Sequence, residues 1–184
     1  MKRQVIILPW IPGENWEELS SLPMAIDMGM CGEWGYYSWE MTKKKDVYKD
    51  DIFLIVSSKC KTPDSSNYNW LKHMGVPVGP FSGLCFLGTI RDVSLNDMGN
   101  QEIDLNILFG ILPGVCRTIE LDELKKALPS VDWNNSEETL LDEQQGDTLL
   151  ASVRNWLKEE KSYLVNNPYT NIINREMNDV IEAL

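Results

Sequence analysis

Histidine is all but missing: His73 is the single example among 184 residues. Hydrolase machinery built on an imidazole would have to use that one residue. It sits in Trp70-Leu71-Lys72-His73-Met74 with no nucleophile motif beside it, so it reads as a surface or structural side chain. Cysteine is sparse too. Cys31, Cys60, Cys85 and Cys116 form no C-x-x-C pair, which argues against a zinc site and against a disulfide framework. Four reduced, mostly buried thiols are expected instead. No apolar run approaches the roughly 20 residues of a membrane span. The first one, Val5-Ile6-Ile7-Leu8, is cut by Pro9 and reads as a strand, not a signal peptide. A cytoplasmic protein with no membrane contact is expected. Neither a G-x-x-x-x-G-K-S/T loop nor a G-x-G-x-x-G fingerprint occurs. The carboxylate pairs Glu17-Glu18, Asp50-Asp51 and Glu137-Glu138 are sequence neighbours, and neighbours point apart on a strand or helix. The expectation is therefore no catalytic residue, no metal, no cofactor and no enzyme.

Positive charge is also scarce, and unevenly placed. The net charge is −11, which disfavours broad phosphate-driven binding to nucleic acid. Residues 118–184 carry 14 acidic and 6 basic side chains, net −8. Residues 41–91 run the other way, with 8 basic and 4 acidic, net +4. A local nucleic-acid contact through that central segment is compatible with the balance. The run Lys43-Lys44-Lys45 by itself reads as a solvated loop.

The chain length suits one domain with a proper core. After the first strand, Pro12-Gly13 marks a turn. Asn15 with Glu18 forms a capping-box pattern for a short helix that ends near Pro23. Residues 24–39 hold many glycines and aromatics without a period and read as an ordered loop. Lys49-Asp50-Asp51 then feeds a five-residue apolar run, Ile52-Phe53-Leu54-Ile55-Val56, a strong strand signal. Residues 61–67 form a polar loop, and residues 75–83 hold too many breakers for an element. Residues 84–90 form another strand, with Gly88 a bulge or point of close approach. Residues 103–109 alternate as a half-buried strand does.

Beyond Pro113-Gly114 the texture turns helical. Leu121, Leu124 and Leu128 share the face of a helix closed by Pro129. Leu149, Leu150, Val153, Trp156 and Leu157 mark a second amphipathic helix of about four turns. The acidic stretch 134–147 between them reads as an exposed loop, and residues 177–184 as a terminal helix. Strands first and helices later indicate an α+β fold.

What the chain has in excess is aromatic: seven Trp, six Tyr and four Phe. Trp133 and Trp156 fall in helix-facing positions and are expected in the core. Trp10, Trp16, Trp34, Trp39 and Trp70 lie in loops or at strand ends beside Gly and Pro. Two arrangements account for them: a stacking cage for a planar or cationic ligand, or plugs at the ends of a small barrel.

The order of these features resembles a known family. Leu8-Pro9-Trp10, an aromatic segment ending at Trp39, the turn Lys49-Asp50-Asp51 into a strand, and Phe81-Ser82-Gly83-Leu84 leading to Gly88-Thr89-Ile90 are similar to EVE-type domains of the PUA-like superfamily. Asp50-Asp51 stands where those domains have Gly-Asp. Ile119, Leu124, Trp133 and Gln145-Gly146-Asp147 follow the order seen in EVE-like readers of restriction-associated proteins. The resemblance covers roughly residues 5–160. It implies an α+β, PUA-like mixed pseudo-barrel of about five to six strands with peripheral helices. The domain would span residues 1–165, with 166–184 a C-terminal extension that could be helical. It also implies a pocket that takes a flipped or modified base of DNA or RNA. Carried over, Trp10 and Trp39 are pocket walls, Ser57, Ser58 and Lys59 give polar and phosphate contacts, and Phe81 and Ser82 close the rim. The function expected is a non-catalytic nucleic-acid-binding module. Its rival, favoured by the charge, is an acidic protein-binding module of the immunity or anti-restriction type that covers a basic partner.

Overall fold

The computed structural model describes residues 3–10, 36–61, 73, 81–111, 116–167, 170–172 and 176–184. Within them run strands β1 (Val5–Trp10), β2 (Tyr36–Glu40), β3 (Ile52–Lys61), β4 (Phe81–Leu95) and β5 (Gln101–Ile111). Helix α1 (Leu121–Ala127), strand β6 (Thr139–Leu140), helices α2 (Glu143–Glu159) and α3 (Lys161–Asn166), strand β7 (Thr170–Ile172) and helix α3's successor α4 (Met177–Ala183) follow. The strands form one mixed sheet in the order β2-β5-β4-β3-β1-β6, with β7 on β5. The pair β1–β3 is parallel and the other pairs are antiparallel.

The apolar runs of β1 and β3 bury both faces, which is why they are continuous and do not alternate. Ile6, Leu8, Trp10, Phe53 and Ile55 enter an inner core with Phe86, Ile90, Ile103, Leu105 and Ile107. Val5, Ile7, Ile52, Leu54 and Val56 face the opposite way, into an outer core with Leu121, Leu124, Leu149, Val153 and Leu157 of the helices. In β5 the first half alternates buried and half-buried residues, whereas residues 107–111 are all buried. The change falls where α2 covers the sheet, and Phe109 meets Trp156 edge-on at 6.3 Å there.

The sheet curls until its two end strands are linked by a side chain and not by a ladder. Glu138, 2% exposed, precedes β6 at one end of the strand order. Its carboxylate accepts from Trp39 Nε1 of β2 at 3.0 Å, from Thr42 N at 3.1 Å and from Thr42 Oγ1 at 2.5 Å. This closes a pseudo-barrel around the inner core. The α+β class, the mixed pseudo-barrel and the peripheral helices are thus as expected. The very short β6 and β7, which carry no alternation, bring the described strands to seven.

Local differences have local causes. Residues 36–39, expected in a loop, form β2 together with Glu40, because pairing with residues 102–106 of β5 supplies backbone partners. The breaker-rich stretch ends earlier than expected, since β4 already begins at Phe81. The stretch 134–147 is not an exposed loop. It contains buried Glu138, strand β6 and the first turn of α2, whose N-cap Asp142 accepts from Gln145 N at 2.8 Å. Gly88 is a close-approach point: a Cβ there would lie 2.0 Å from Asn106 O, beside a register shift in the β4–β5 ladder. Segment 166–184 supplies β7 and α4, and Met177, Val180 and Leu184 are buried in the outer core. The helix expected after Asn15, and Trp16, Trp34 and Trp70, lie outside the described residues. Among the described residues no helix is long and apolar enough to cross a membrane.

Candidate nucleic-acid interface at the strand ends

Because β1 and β3 are parallel, their last residues finish side by side. Trp10 pairs in register with Ser57, and Ser57 with Gly83 of β4. Trp10 is fully buried, and its ring meets that of Phe86 at 6.5 Å with a 50° tilt. Ser57 is buried beside it. The inner core therefore ends here in an aromatic pair with serines at its border.

The ladder breaks immediately beyond. Ser57 is opposite Gly83 and Lys61 is opposite Phe81, so Ser58, Lys59 and Cys60 of β3 face Ser82 alone on β4. An excess on one strand bends it and leaves backbone groups outside the ladder, and such bulges recur beside functional sites. Ser58 Oγ is shielded from solvent and has no hydrogen-bond partner among the described residues. A buried hydroxyl left unmet costs about 1–3 kcal/mol. Gly83 takes φ +135°, and a Cβ there would lie 2.1 Å from Ile119 O, so this corner admits only glycine.

Six of the seven residues expected at the site thus converge on one end of the sheet: Trp10, Ser57, Ser58, Lys59, Phe81 and Ser82. For Lys59 and Phe81 the convergence is that of the backbone, their side chains lying outside the described set. Trp39 is placed differently. It lies on β2 opposite Ile103, is 5% exposed, and its indole N–H is engaged by Glu138. It shares the inner core with Trp10, so both indoles are packed into the barrel in this structure.

The Cys85 thiol is fully buried, and desolvation pushes its pKa far above the ordinary value, against a small opposing effect of the Ser57 backbone. His73 is exposed. At the opposite end of β1 a cavity of about 280 Å³ is lined by Arg3, Gln4, Leu141, Asp142, Gly146 and Asp147 among others. Arg3 Nη1 there donates to Ala183 O at 2.5 Å.

Two positions carry more structure than their sequence context disclosed. Asp51, 4% exposed, accepts from Gln4 N and from Tyr48 N, each at 2.8 Å, and so fixes the entry to β3. The preceding Asp50 has φ +72°. The Asp-Asp pair before an apolar run was a visible signal. Glu138 had none, standing in an acidic stretch with nothing to separate it from Glu137.

No protein-family model and no curated protein matches the chain. Its fold is similar to the crystal structure of a mutant of the ASCH protein of Zymomonas mobilis, ZmASCH. The superposition has a TM-score of 0.41 at 10% sequence identity and covers 81% of this chain and 98% of that one. At that distance the likeness carries no inference from one protein to the other.

Proposed function

We propose that the protein is a non-catalytic nucleic-acid-binding module that receives a flipped or modified base at the strand ends of its pseudo-barrel. The observation that carries this reading is the broken ladder beyond Ser57 and Gly83, which gathers Ser58, Lys59 and Ser82 next to the Trp10–Phe86 pair. Base recognition needs polar groups and backbone released from a ladder to read the base edge above an apolar floor; Trp10 and Phe86, both fully buried, form the packed floor beneath that edge and offer no open stacking face. Ser58 Oγ, buried and without a partner among the described residues, is a group that a base edge would satisfy. Lys59 and Lys61 on the same strand supply the charge that a phosphate requires.

The finer assignment, an EVE-like reader, draws support from the turn before β3. Asp50 adopts the left-handed backbone region that glycine enters most readily, at the position where the family has Gly. Burial of the Cys85 thiol and the solvent exposure of His73 are in keeping with binding without catalysis. A thiol buried in the inner core, as Cys85 is, fits a cytoplasmic setting.

The test is fluorescence anisotropy with labelled DNA and RNA oligonucleotides, with and without methylated bases, at two salt concentrations. The expected result is binding that strengthens with the modified base and weakens about tenfold in Ser58→Ala, the value of a lost hydrogen bond in a dry site. Equal affinity for all oligonucleotides with no effect of Ser58→Ala, or no binding at low salt, overturns the proposal.

A further inference from the structure

Where β4 begins, it has β3 on one edge and, in place of β5, the segment leading into α1 on the other. Ser57 lies opposite Gly83 on the first edge, and Gly83 forms an isolated antiparallel bridge with Glu120 on the second. Trp10, Ser57, Gly83 and Glu120 therefore stand in one row across the corner. The contact is close and fixed. Leu84 N donates to Ile119 O at 3.1 Å, Thr118 Oγ1 donates to Leu84 O, and a Cβ on Gly83 would lie 3.2 Å from Glu120 Cα.

The direction of the Glu120 side chain follows from its neighbours. Ile119 and Leu121 are both buried in the outer core. Glu120 between them has extended backbone, φ −65° and ψ 148°, and successive side chains of an extended chain leave on opposite sides. It is exposed, on the side away from the outer core. It also forms the capping box of α1 with Glu123, whose Oε2 accepts from Glu120 N at 3.2 Å. A carboxylate has about four acceptor sites, so the box leaves room for further donors. Partial burial, and then Glu123 and Asp122, hold this carboxyl above its ordinary pKa. Among the described residues no cation pairs with it. What such a group lacks is a donor.

We infer that Glu120 is the specificity-determining residue of the strand-end site, accepting a hydrogen bond from an exocyclic amino group of the bound base, as cytosine and adenine carry it. This rests on the base-binding reading of that site. A carboxylate accepts from a base amino group, and is repelled by the carbonyl oxygen that replaces it in uracil or hypoxanthine. Charge orients the ligand in the same sense. Phosphate belongs on the β3 flank, where Lys59 and Lys61 stand, and the base edge on the α1 flank beside Glu120. The acidic face formed by Glu40 opposite Glu102 and Asp92 opposite Asp104 lies toward the far end of β4 and does not border this corner.

Thymine-flanked single strands with cytosine or uracil, or adenine or hypoxanthine, at the central position probe the full chain by fluorescence anisotropy. Each pair exchanges one amino group for an oxo group. In at least one pair the amino base binds about tenfold more tightly. Glu120→Gln, whose amide keeps an acceptor for the capping box and offers a donor to an oxo group, brings that ratio below about twofold. Asp122→Asn, which removes the same charge from a side chain 86% exposed, leaves the ratio intact. Equal affinities in wild type, full preference in Glu120→Gln, or its loss in Asp122→Asn overturns the inference. If Ser58→Ala still weakens every strand, the strand-end reading survives that result. No binding at low salt overturns both.

Discussion

Replacing Glu138 by alanine tests how the pseudo-barrel is closed. The side chain is buried and receives three donors from the opposite end strand and its continuation: Trp39 Nε1, Thr42 N and Thr42 Oγ1. Truncation leaves the Trp39 indole N–H in an apolar interior without an acceptor, at a cost of about 2 kcal/mol. The Thr42 groups reach solvent, so losing their charge-assisted bonds adds about 1 kcal/mol more. A total near 3 kcal/mol is a large part of the roughly 5–15 kcal/mol that holds an ordinary domain together. With a urea slope of about 2 kcal/mol per molar, the unfolding midpoint falls by about 1.5 M. Glu138→Gln, which keeps an acceptor for Trp39 but turns an amide toward Thr42 N–H, falls between the two. Tryptophan fluorescence follows the transition. A midpoint for Glu138→Ala within about 0.3 M of wild type would refute the closure, because the unmet donors alone exceed that.

The neighbouring Glu137→Gln is expected to leave the urea midpoint at pH 7 unchanged, although Glu137 bonds Lys43 at 2.8 Å in the open. The Lys43 contact holds the Glu137 carboxyl below its ordinary pKa. Its contribution, too small in this exposed pair to move the midpoint at pH 7, is present above the ordinary carboxylate value and is lost as pH falls through the folded value, so the two proteins stay alike in the acid limb as well. Gly88→Ala forces a Cβ against Asn106 O and costs about 3 kcal/mol, read from the same urea curve; a loss under 1 would contradict the packing there. Asp50→Gly relieves a left-handed aspartate and is expected to be neutral or stabilising by up to about 1 kcal/mol. Cys85 should react with a thiol reagent only as fast as the protein opens, and reaction in the folded state at neutral pH would show that its burial is overstated.

The parts of the fold that were legible in sequence share one property: their pattern is imposed by burial on a regular element. The five-residue run at 52–56 announced a strand, and the alternation expected over 103–109 holds in its first half, residues 107–109 being buried throughout. Gly88, alone inside an apolar strand, announced a close approach. What stayed hidden depends on partners far away in sequence. Tyr36 through Glu40 is a strand because β5 lies beside it, and a two-residue strand such as β6 is too short to show a period. Glu138 and Glu137 have the same side chain, and only the curl of the sheet makes one a buried link and the other a surface ion. At the strand ends, sequence named Ser57, Ser58, Lys59, Phe81 and Ser82 through a resemblance. The reason they meet, a broken ladder between β3 and β4, lies in register and was not readable beforehand.

Amide chemical-shift mapping with a short oligonucleotide carrying a modified base tests the central claim most directly. The account predicts shifts concentrated at Trp10, Ser57, Ser58, Ser82 and Gly83, with the acidic face at Glu40, Asp92 and Glu102 unmoved. Shifts centred on another surface, or none at a concentration that saturates the anisotropy signal, would contradict it.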